Sequence, residues 1–396
     1  MENIGKHALY VGDNLKVMET LQDVYINAVD CIYIDPPYNT GNKYFLYDDT
    51  FAVKTSWYKF MKPRLEESYK LLKQTGTIIV SIDDKHYIEL KTLLNEIYGE
   101  QNFIANIIWQ GTPSSLSKYT SGGTDYLLIY GKDIKQVPKF REPKQGAQEL
   151  LKFVETLQTK NATIEEAQQK LRQYLKTNAT TLDSSLKYYN RIDSQYRVFT
   201  TTTLDNNLYR PNLIYPITNP KTGETHQPPP KGWKLSPDTM SKLIEQELIA
   251  FDGGKYPRKK ILLTTQMHQL PPNVFYSPRQ NGTALLKQII GPHQFPFPKN
   301  VEVLQRWLTI VTHNNPEATI LDFFAGSGTT THAVLNMNKA DNGKRKSILI
   351  TNNENKIPET ITIPRIKNLI SGQWFNTTKE PHSDTFIVEY QQELNL

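Results

Sequence analysis

Asp35-Pro36-Pro37-Tyr38 sets a carboxylate, a stiff pair of prolines and a flat aromatic side by side. Proline fixes its own backbone torsion, so such a loop holds its carbonyls in set directions. A carboxylate and a rigid carbonyl are both acceptors, and an exocyclic amino group offers two donors to match them. A tyrosine ring beside them can stack on the heterocycle that bears the amino group. The plain alternative is a Pro-Pro turn with a surface tyrosine. Position favours the chemistry. Asp30 to Asp35 reads as a buried strand, with Cys31-Ile32-Tyr33-Ile34 running unbroken up to the prolines. Ligands of open α/β sheets bind beyond the carboxyl ends of such strands.

A second set lies far downstream, in Leu321-Asp322-Phe323-Phe324-Ala325-Gly326-Ser327-Gly328-Thr329-Thr330. It too falls between a strand pattern, Ala318 to Phe324, and a helix pattern, Thr329 to Asn338. Gly326 and Gly328 allow a ligand close to the backbone, and the helix N-terminus offers free N–H groups. The third glycine of the dinucleotide fingerprint is replaced by Thr331, which argues against a nicotinamide oxidoreductase. No Gly-Lys-Ser/Thr follows, so this is not a P-loop. A glycine turn with Asp322 better suits a nucleoside carrying an amino-acid tail, such as S-adenosylmethionine. Glu354 follows the strand Ser347–Asn352 and is placed like an acid that grips ribose hydroxyls. Read alone, it is equally an exposed loop acid. The histidines are scattered without metal-ligand spacing, so no metal is expected, and His332 reads as a packing residue.

These loops need a scaffold. Helical spacing covers Ser56 to Lys73, ended by Gly76, and strand patterns follow at Thr77–Ile82, Asn102–Trp109 and Asp125–Tyr130. Tyr87 to Tyr98 is amphipathic and stops at Gly99. Ile363 to Ile370 starts a further helix. Strands alternating with helices imply a mostly parallel sheet covered on both faces. The middle differs: a polar helical stretch at Gln148–Thr177, then Pro228-Pro229-Pro230, a helix from Ser236 to Glu247 and a basic loop at Phe251–Arg258. The expected layout is an α/β domain in two pieces, 1–130 and 271–396, around an inserted α+β module at 131–270.

The chain has 396 residues with a net charge of +6, enough to bury a core without disulfides. Residues 131–270 hold 22 Lys+Arg against 14 Asp+Glu, a balance of +8, leaving −2 elsewhere. A basic module of this kind points to phosphates, and Arg191, Arg197, Lys255, Arg258, Lys259 and Lys260 are its candidate phosphate contacts. The lone Cys31 excludes a disulfide framework and reads as a buried thiol. No apolar run reaches the roughly 18 residues of a membrane helix. Met1 to Tyr10 lacks the pattern of a signal peptide, so a cytoplasmic protein is expected.

The two motifs and their order resemble the β class of amino-group DNA methyltransferases, in which D-P-P-Y comes first, then a target-recognition region, then F-x-G-x-G. The likeness to modification subunits of Type III restriction systems goes further. Asn39-Thr40-Gly41 with Tyr47-Asp48-Asp49 resembles the segment after D-P-P-Y. Ile79-Val80-Ser81-Ile82-Asp83-Asp84 is similar to the next catalytic strand, and Thr351-Asn352-Asn353-Glu354 to the end of the second cofactor strand. Phe297-Pro298-Lys299-Asn300-Val301-Glu302 is similar to the K-P-x-E-L segment of the cofactor pocket, with Asn300 in place of proline. Thr124-Asp125-Tyr126 stands where the family often has His-Glu-Tyr, and no catalytic role is assigned to it.

The resemblance implies a Rossmann-like S-adenosylmethionine-dependent sheet with circularly permuted motif order. It implies N6 methylation of a flipped adenine in double-stranded DNA. Asp35 and the Pro36 carbonyl would accept from the amino group, with Pro37 stiffening the loop and Tyr38 stacking on the base. Asp322, Phe324, Ala325, Gly326, Ser327, Gly328, Thr329, Glu354 and Lys299 would hold the cofactor. A homodimer and a helicase-nuclease restriction subunit are the partners such enzymes suggest. Cytosine-N4 methylation, RNA or protein-glutamine methylation, and a catalytically dead DNA-binding subunit are the competing readings.

Overall fold

The computed structural model describes residues 7–38, 54–114, 122–252, 254–278, 281–382 and 384–391. The segment Asn39-Thr40-Gly41 and Tyr47-Asp48-Asp49 lies outside them. The chain divides into two compact units, 1–140 with 271–396, and 141–270. The first join falls after Gly131 because residues 132–140 still pack on the first unit. The Lys132 ammonium donates to Asn27 Oδ1 at 2.8 Å and to the Leu72 carbonyl at 2.7 Å, and Phe140 lies against the core.

The first unit is built on nine strands: β1 (His7–Val11), β2 (Val29–Ile34), β3 (Leu72–Ile82), β4 (Phe103–Ser114), β5 (Gly122–Gly131), β6 (Val274–Tyr276), β7 (Thr319–Asp322), β8 (Lys346–Thr351) and β9 (Phe386–Tyr390). Its helices are α1 (Asn14–Tyr25), α2 (Lys54–Leu71), α3 (Tyr87–Tyr98), α4 (Asn281–Ile290), α5 (Val301–Val311), α6 (Thr329–Asp341) and α7 (Ile363–Ser371). The sheet order is β6-β4-β5-β3-β2-β7-β8-β1-β9. Only β5 runs against its neighbours; every other pairing is parallel. Strands buried on both faces read as unbroken apolar runs, and β2 and β3 do so. Two hydrophobic clusters flank the sheet, one holding Ile32, Ile34, Ile78 and Val80, the other Cys31, Tyr33 and Ile79. Each fully buried isoleucine stabilises the unit by about 1.5–3 kcal/mol. Cys31 is free and fully buried, which pushes its thiol up.

Boundaries differ from the pattern in one instructive place. The helix expected over Ser56 to Lys73, with Gly76 as its stop, ends at Leu71, and β3 starts at once, so Gly76 lies inside the strand. Strands β1, β6 and β9 and helices α1, α4 and α5, which local pattern did not single out, complete the layers.

The second unit has its own core. The polar stretch 148–177 forms two helices, Ala147–Thr159 and Ile164–Thr177. Asn161 turns left-handed between them at φ 54°, and a Thr163/Glu166 capping box restarts the chain. Their apolar faces share a cluster with Ile192, Val198 and Leu263. A four-stranded antiparallel sheet holds Ile249–Ala250, Arg258–Leu262, Val198–Thr203 and Arg191–Ile192 in that order. Ser236 caps the helix Pro237–Glu245 as its sequence suggests.

Candidate active site

Strand β2 comes from one end of the chain and β7 from the other, yet they pair, Cys31 with Ile320 and Ile32 with Leu321. Their helices lead the chain away in opposite directions, to β3 on one side and β8 on the other. This is a topological switch point, where open α/β sheets bind ligands. A cavity of about 340 Å³ opens there, lined by residues that include Asp35, Pro37, Lys299, Asp322, Phe324, Ala325, Gly326, Ser327, Thr329 and Glu354. That volume suits a nucleoside-sized ligand, since clefts for such molecules span about 300–1,000 Å³.

At the β2 end, the Tyr38 hydroxyl is 2.6 Å from Asp35 Oδ1 and 2.7 Å from Ser81 Oγ. The Lys299 ammonium donates to the Tyr38 oxygen at 2.7 Å and lies 3.2 Å from both Asp35 Oδ1 and Asp125 Oδ2. Trp57 Nε1 donates to the Pro37 carbonyl at 2.7 Å and pins the loop. Burial lifts the Asp35 carboxyl above its ordinary range, while Lys299 and the Tyr38 hydroxyl pull it back down. The tyrosine ring expected to stand as a stacking platform is thus tied through its hydroxyl into the carboxylate cluster.

At the β7 end, Asp322 is 3% exposed. Its Oδ2 accepts from Thr330 Oγ1 at 2.5 Å and its Oδ1 from the Phe324 N–H at 3.1 Å. Burial still raises this carboxyl to about 7. Gly326 and Gly328 take φ of 46° and 73°, left-handed values that favour glycine. A Cβ on Gly326 would meet Phe295 Cζ at 3.3 Å. The loop is held from two sides. Asn14 Nδ2 donates to the Phe323 carbonyl at 2.7 Å, and the buried Arg365 guanidinium donates to the Ser327 carbonyl, Ser327 Oγ and Thr329 Oγ1 at 2.9–3.2 Å. Glu354 is half-buried in the cavity wall, where its Oε2 accepts from Asn352 at 3.1 Å. Phe297 stands on the rim, 69% exposed, at φ 49°, a strained value for a bulky residue.

The donor set fits a nucleoside with a cationic amino-acid tail. A carboxyl held at about 7 gains a partner when a cation arrives. The glycine turn leaves room for the ligand, Glu354 can accept from hydroxyls, and Phe60, Phe295 and Phe324 supply apolar surface. The resemblance placed Lys299 with the cofactor. It lines the same cavity, but its ammonium belongs to the Asp35 end. Asn300, standing for the usual proline, is the N-cap of α5. Its Oδ1 accepts from the Glu302 N–H at 2.9 Å and its amide donates to Ser277 Oγ at 3.2 Å. His332 is buried against Arg365, a packing position as expected.

Local reading missed Asp125, Ser81, Asn14, Arg64 and Arg365. Arg64 bridges Asn14 and Asp13 at 2.6 and 2.9 Å beside the cavity. Asp125 had one signal, its place where the family carries His-Glu-Tyr. Ser81 lay in the stretch similar to the next catalytic strand, without a role of its own, and Asn14, Arg64 and Arg365 meet the site across roughly 40 to 310 residues with no local mark.

The six basic candidates of the insert do not form one open set. Arg191 pairs with Asp252. Arg197 and Lys260 converge on the buried carboxylate of Asp193 at 2.7 and 3.2 Å. The Arg258 guanidinium reaches the Thr201 carbonyl at 3.5 Å. Lys259 is half-buried, and Lys255 is exposed over the Tyr256 ring. A second cavity, of about 440 Å³, is lined by Arg191, Asp193, Phe199, Glu247, Asp252 and Lys260. Its cations already answer its carboxylates, so the β2/β7 cavity is the candidate site.

Comparison with known proteins identifies the family. A family model described as DNA methylase, of the N6/N4 methyltransferase type, matches residues 29–361. The Type II methyltransferase M.KpnI of Klebsiella pneumoniae is 31% identical over 378 residues, covering 87% of this chain and 80% of that protein. The StyLTI Mod subunit, from a Type III restriction-modification enzyme of Salmonella typhimurium, is 29% identical over 88% of this chain and 53% of its own length. The chain thus spans about half the length of the Mod subunits it matches. Among solved structures, the M1.HpyAVI–SAM complex aligns over 92% of this chain and 100% of its own, at 14% identity and a TM-score of 0.40.

Proposed function

The chain belongs to the DNA methylase family of N6/N4 methyltransferases, and from that premise we propose that it methylates the N6 amino group of adenine in double-stranded DNA. S-adenosylmethionine is the cofactor of this family, and it supplies an electrophilic sulfonium methyl. The proposal rests on one observation: Asp35 and its proline loop end β2 directly beside the glycine loop that ends β7, on one cavity.

An amino group hidden in a duplex must leave the stack to reach such a cavity, at a cost of a few kcal/mol. Asp35 then accepts one amino N–H and the Pro36 carbonyl the other. With both donors held, the nitrogen lone pair turns out of conjugation and points toward the β7 end. The proton that leaves the nitrogen passes to a carboxylate oxygen of Asp35. Tyr38 releases its bond to Asp35 and stacks on the base. Asp322 faces the cationic tail of the cofactor and Glu354 its ribose hydroxyls. Catalysis on this reading is positioning and electrostatics. The D-P-P-Y form with aspartate first supports adenine over cytosine. Lys255, Arg258 and Lys259 supply phosphate contacts, while Arg191, Arg197 and Lys260 hold the local shape of the insert through their carboxylates. The likeness to Mod subunits supports a role beside a restriction subunit.

The test is to incubate the protein with labelled S-adenosylmethionine and unmethylated duplex DNA, then digest to nucleosides. Label is expected in N6-methyladenine, and Asp35→Ala should lower the rate by roughly 100-fold or more. Label only in N4-methylcytosine, or an Asp35→Ala protein as active as wild type, would overturn the reading.

A further inference from the structure

The Lys299 side chain is 13% exposed and that of Asp125 only 5%. Their contact is therefore no surface ion pair. An ammonium has three donors, and three acceptors surround this one: the Tyr38 oxygen at 2.7 Å, and Asp35 Oδ1 and Asp125 Oδ2 at 3.2 Å each. Asp125 sits on β5 and Asp35 just beyond β2, so one ammonium ties two separate strands to the reacting end of the cavity.

We propose that Lys299 and Asp125 are a positioning pair for Asp35. Asp125 fixes the ammonium, and the ammonium keeps the Asp35 carboxylate ionised and turned as an acceptor toward the amino group. This rests on the reading of Asp35 as that acceptor. An amino group brings only donors on this side, and a protonated carboxyl would meet them with a donor of its own. The base is neutral and brings no charge to keep Asp35 ionised, and before the cofactor binds that charge comes from the protein. The groups that face Asp35 are Lys299, Tyr38, Asp125, Tyr33 and Asp322, and Asp83 in turn faces Asp125. Of these, only Lys299 is a cation. Burial and the neighbouring carboxylates push both tyrosines well above their usual range, so they stay neutral.

The signs separate this from a merely structural role. Without Lys299, Asp35 is harder to ionise, so the acidic limb of the pH–rate profile moves up. Without the charge of Asp125, Asp35 is easier to ionise, so the limb moves down. A packing defect lowers the rate and moves neither.

The experiment uses the full chain and single-turnover methylation of duplex DNA at saturating cofactor, across roughly pH 5 to 9. Lys299→Met is expected to slow transfer by roughly 100-fold near neutral pH and to raise the acidic limb by about 1 pH unit. Asp125→Asn should lower that limb, and Lys299→Arg should leave it near the wild-type position. Binding of S-adenosylmethionine without DNA should be the same in wild type and all three variants. Limbs that stay put in both Lys299→Met and Asp125→Asn, or move the same way, overturn the pair. So does cofactor affinity that falls in step with the rate, which would make Lys299 a cofactor contact. If Lys299→Met does not fold, Asp125→Asn decides by the direction of the same limb. An inactive wild type would take the functional reading down as well; an active wild type with unmoved limbs removes the pair alone.

Discussion

Asp35 and Asp322 end neighbouring strands of one sheet, and burial raises both carboxyls. The protein treats them differently. At Asp35 it supplies an ammonium, a second carboxylate and a tyrosine hydroxyl. At Asp322, among the described residues, it supplies one hydroxyl and one backbone N–H and no cationic side chain. Arg365 is buried under the same loop, but it points at Ser327 and Thr329. The difference matches the proposed ligands. A target amino group brings no charge of its own, and the Asp35 end carries a built-in ammonium. S-adenosylmethionine arrives with an ammonium and a sulfonium, so a carboxyl left without a cation is a place for one.

The comparison breaks most severely at Arg365. Replacing it with Met leaves the Ser327 carbonyl and the Thr329 hydroxyl without their buried donor, and should cost about 2–4 kcal/mol of unfolding free energy in urea titration. A cost within the scatter of surface mutations would show that the glycine loop holds itself. Asp322→Asn sharpens the contrast with a smaller effect. In wild type the carboxyl sits at about 7 before the ligand binds, so binding near neutral pH should release part of a proton, read as a dependence of calorimetric heat on buffer. The variant should release none and bind about 10-fold more weakly. The stability of the ligand-free protein carries the same signature. A carboxyl raised from 3.8 to about 7 stabilises fully below 3.8, and that contribution is lost as pH rises through 7. Thermal unfolding of wild type should therefore weaken across this window, and that of Asp322→Asn should lack the slope. The smallest effect is expected in the insert, where Lys255 and Lys259 are proposed as phosphate contacts. Removing both should flatten the salt dependence of DNA binding by about 1 in log–log slope for each phosphate no longer neutralised, with methylation at low salt little changed. An unaltered slope would exclude them.

Much of this could be read from residue order alone. An unbroken apolar run meeting two prolines marks the end of β2 and puts Asp35 at a strand terminus. Glycines at 326 and 328 mark the turn after β7. The charge balance marks the insert. What stayed hidden depends on register. Asp125 reaches Lys299 only because β5 runs antiparallel beside β3, with Leu127 opposite Ser81. Arg365 lies under Ser327 because α7 packs there, and nothing near either residue announces it. The insert shows the converse. A cluster of basic residues is legible as charge, but its pairing with Asp193 and Asp252 comes from strand and loop geometry that composition does not carry.

The pairing of β2 with β7 has a consequence for synthesis. Cys31 waits for Ile320, so nearly three hundred residues emerge before that contact can form. Strands β2, β3, β5 and β4 all lie within 29–131 and can assemble early, leaving one edge of β2 without a partner. Contacts this distant in sequence form slowly, and an open edge invites wrong pairings until the right strand arrives. A nascent chain paused in the insert would hold Asp35 on a finished strand with no wall opposite it. The strands that carry Asp35 and Asp125 are made first, and Lys299 and the glycine loop complete the cavity last.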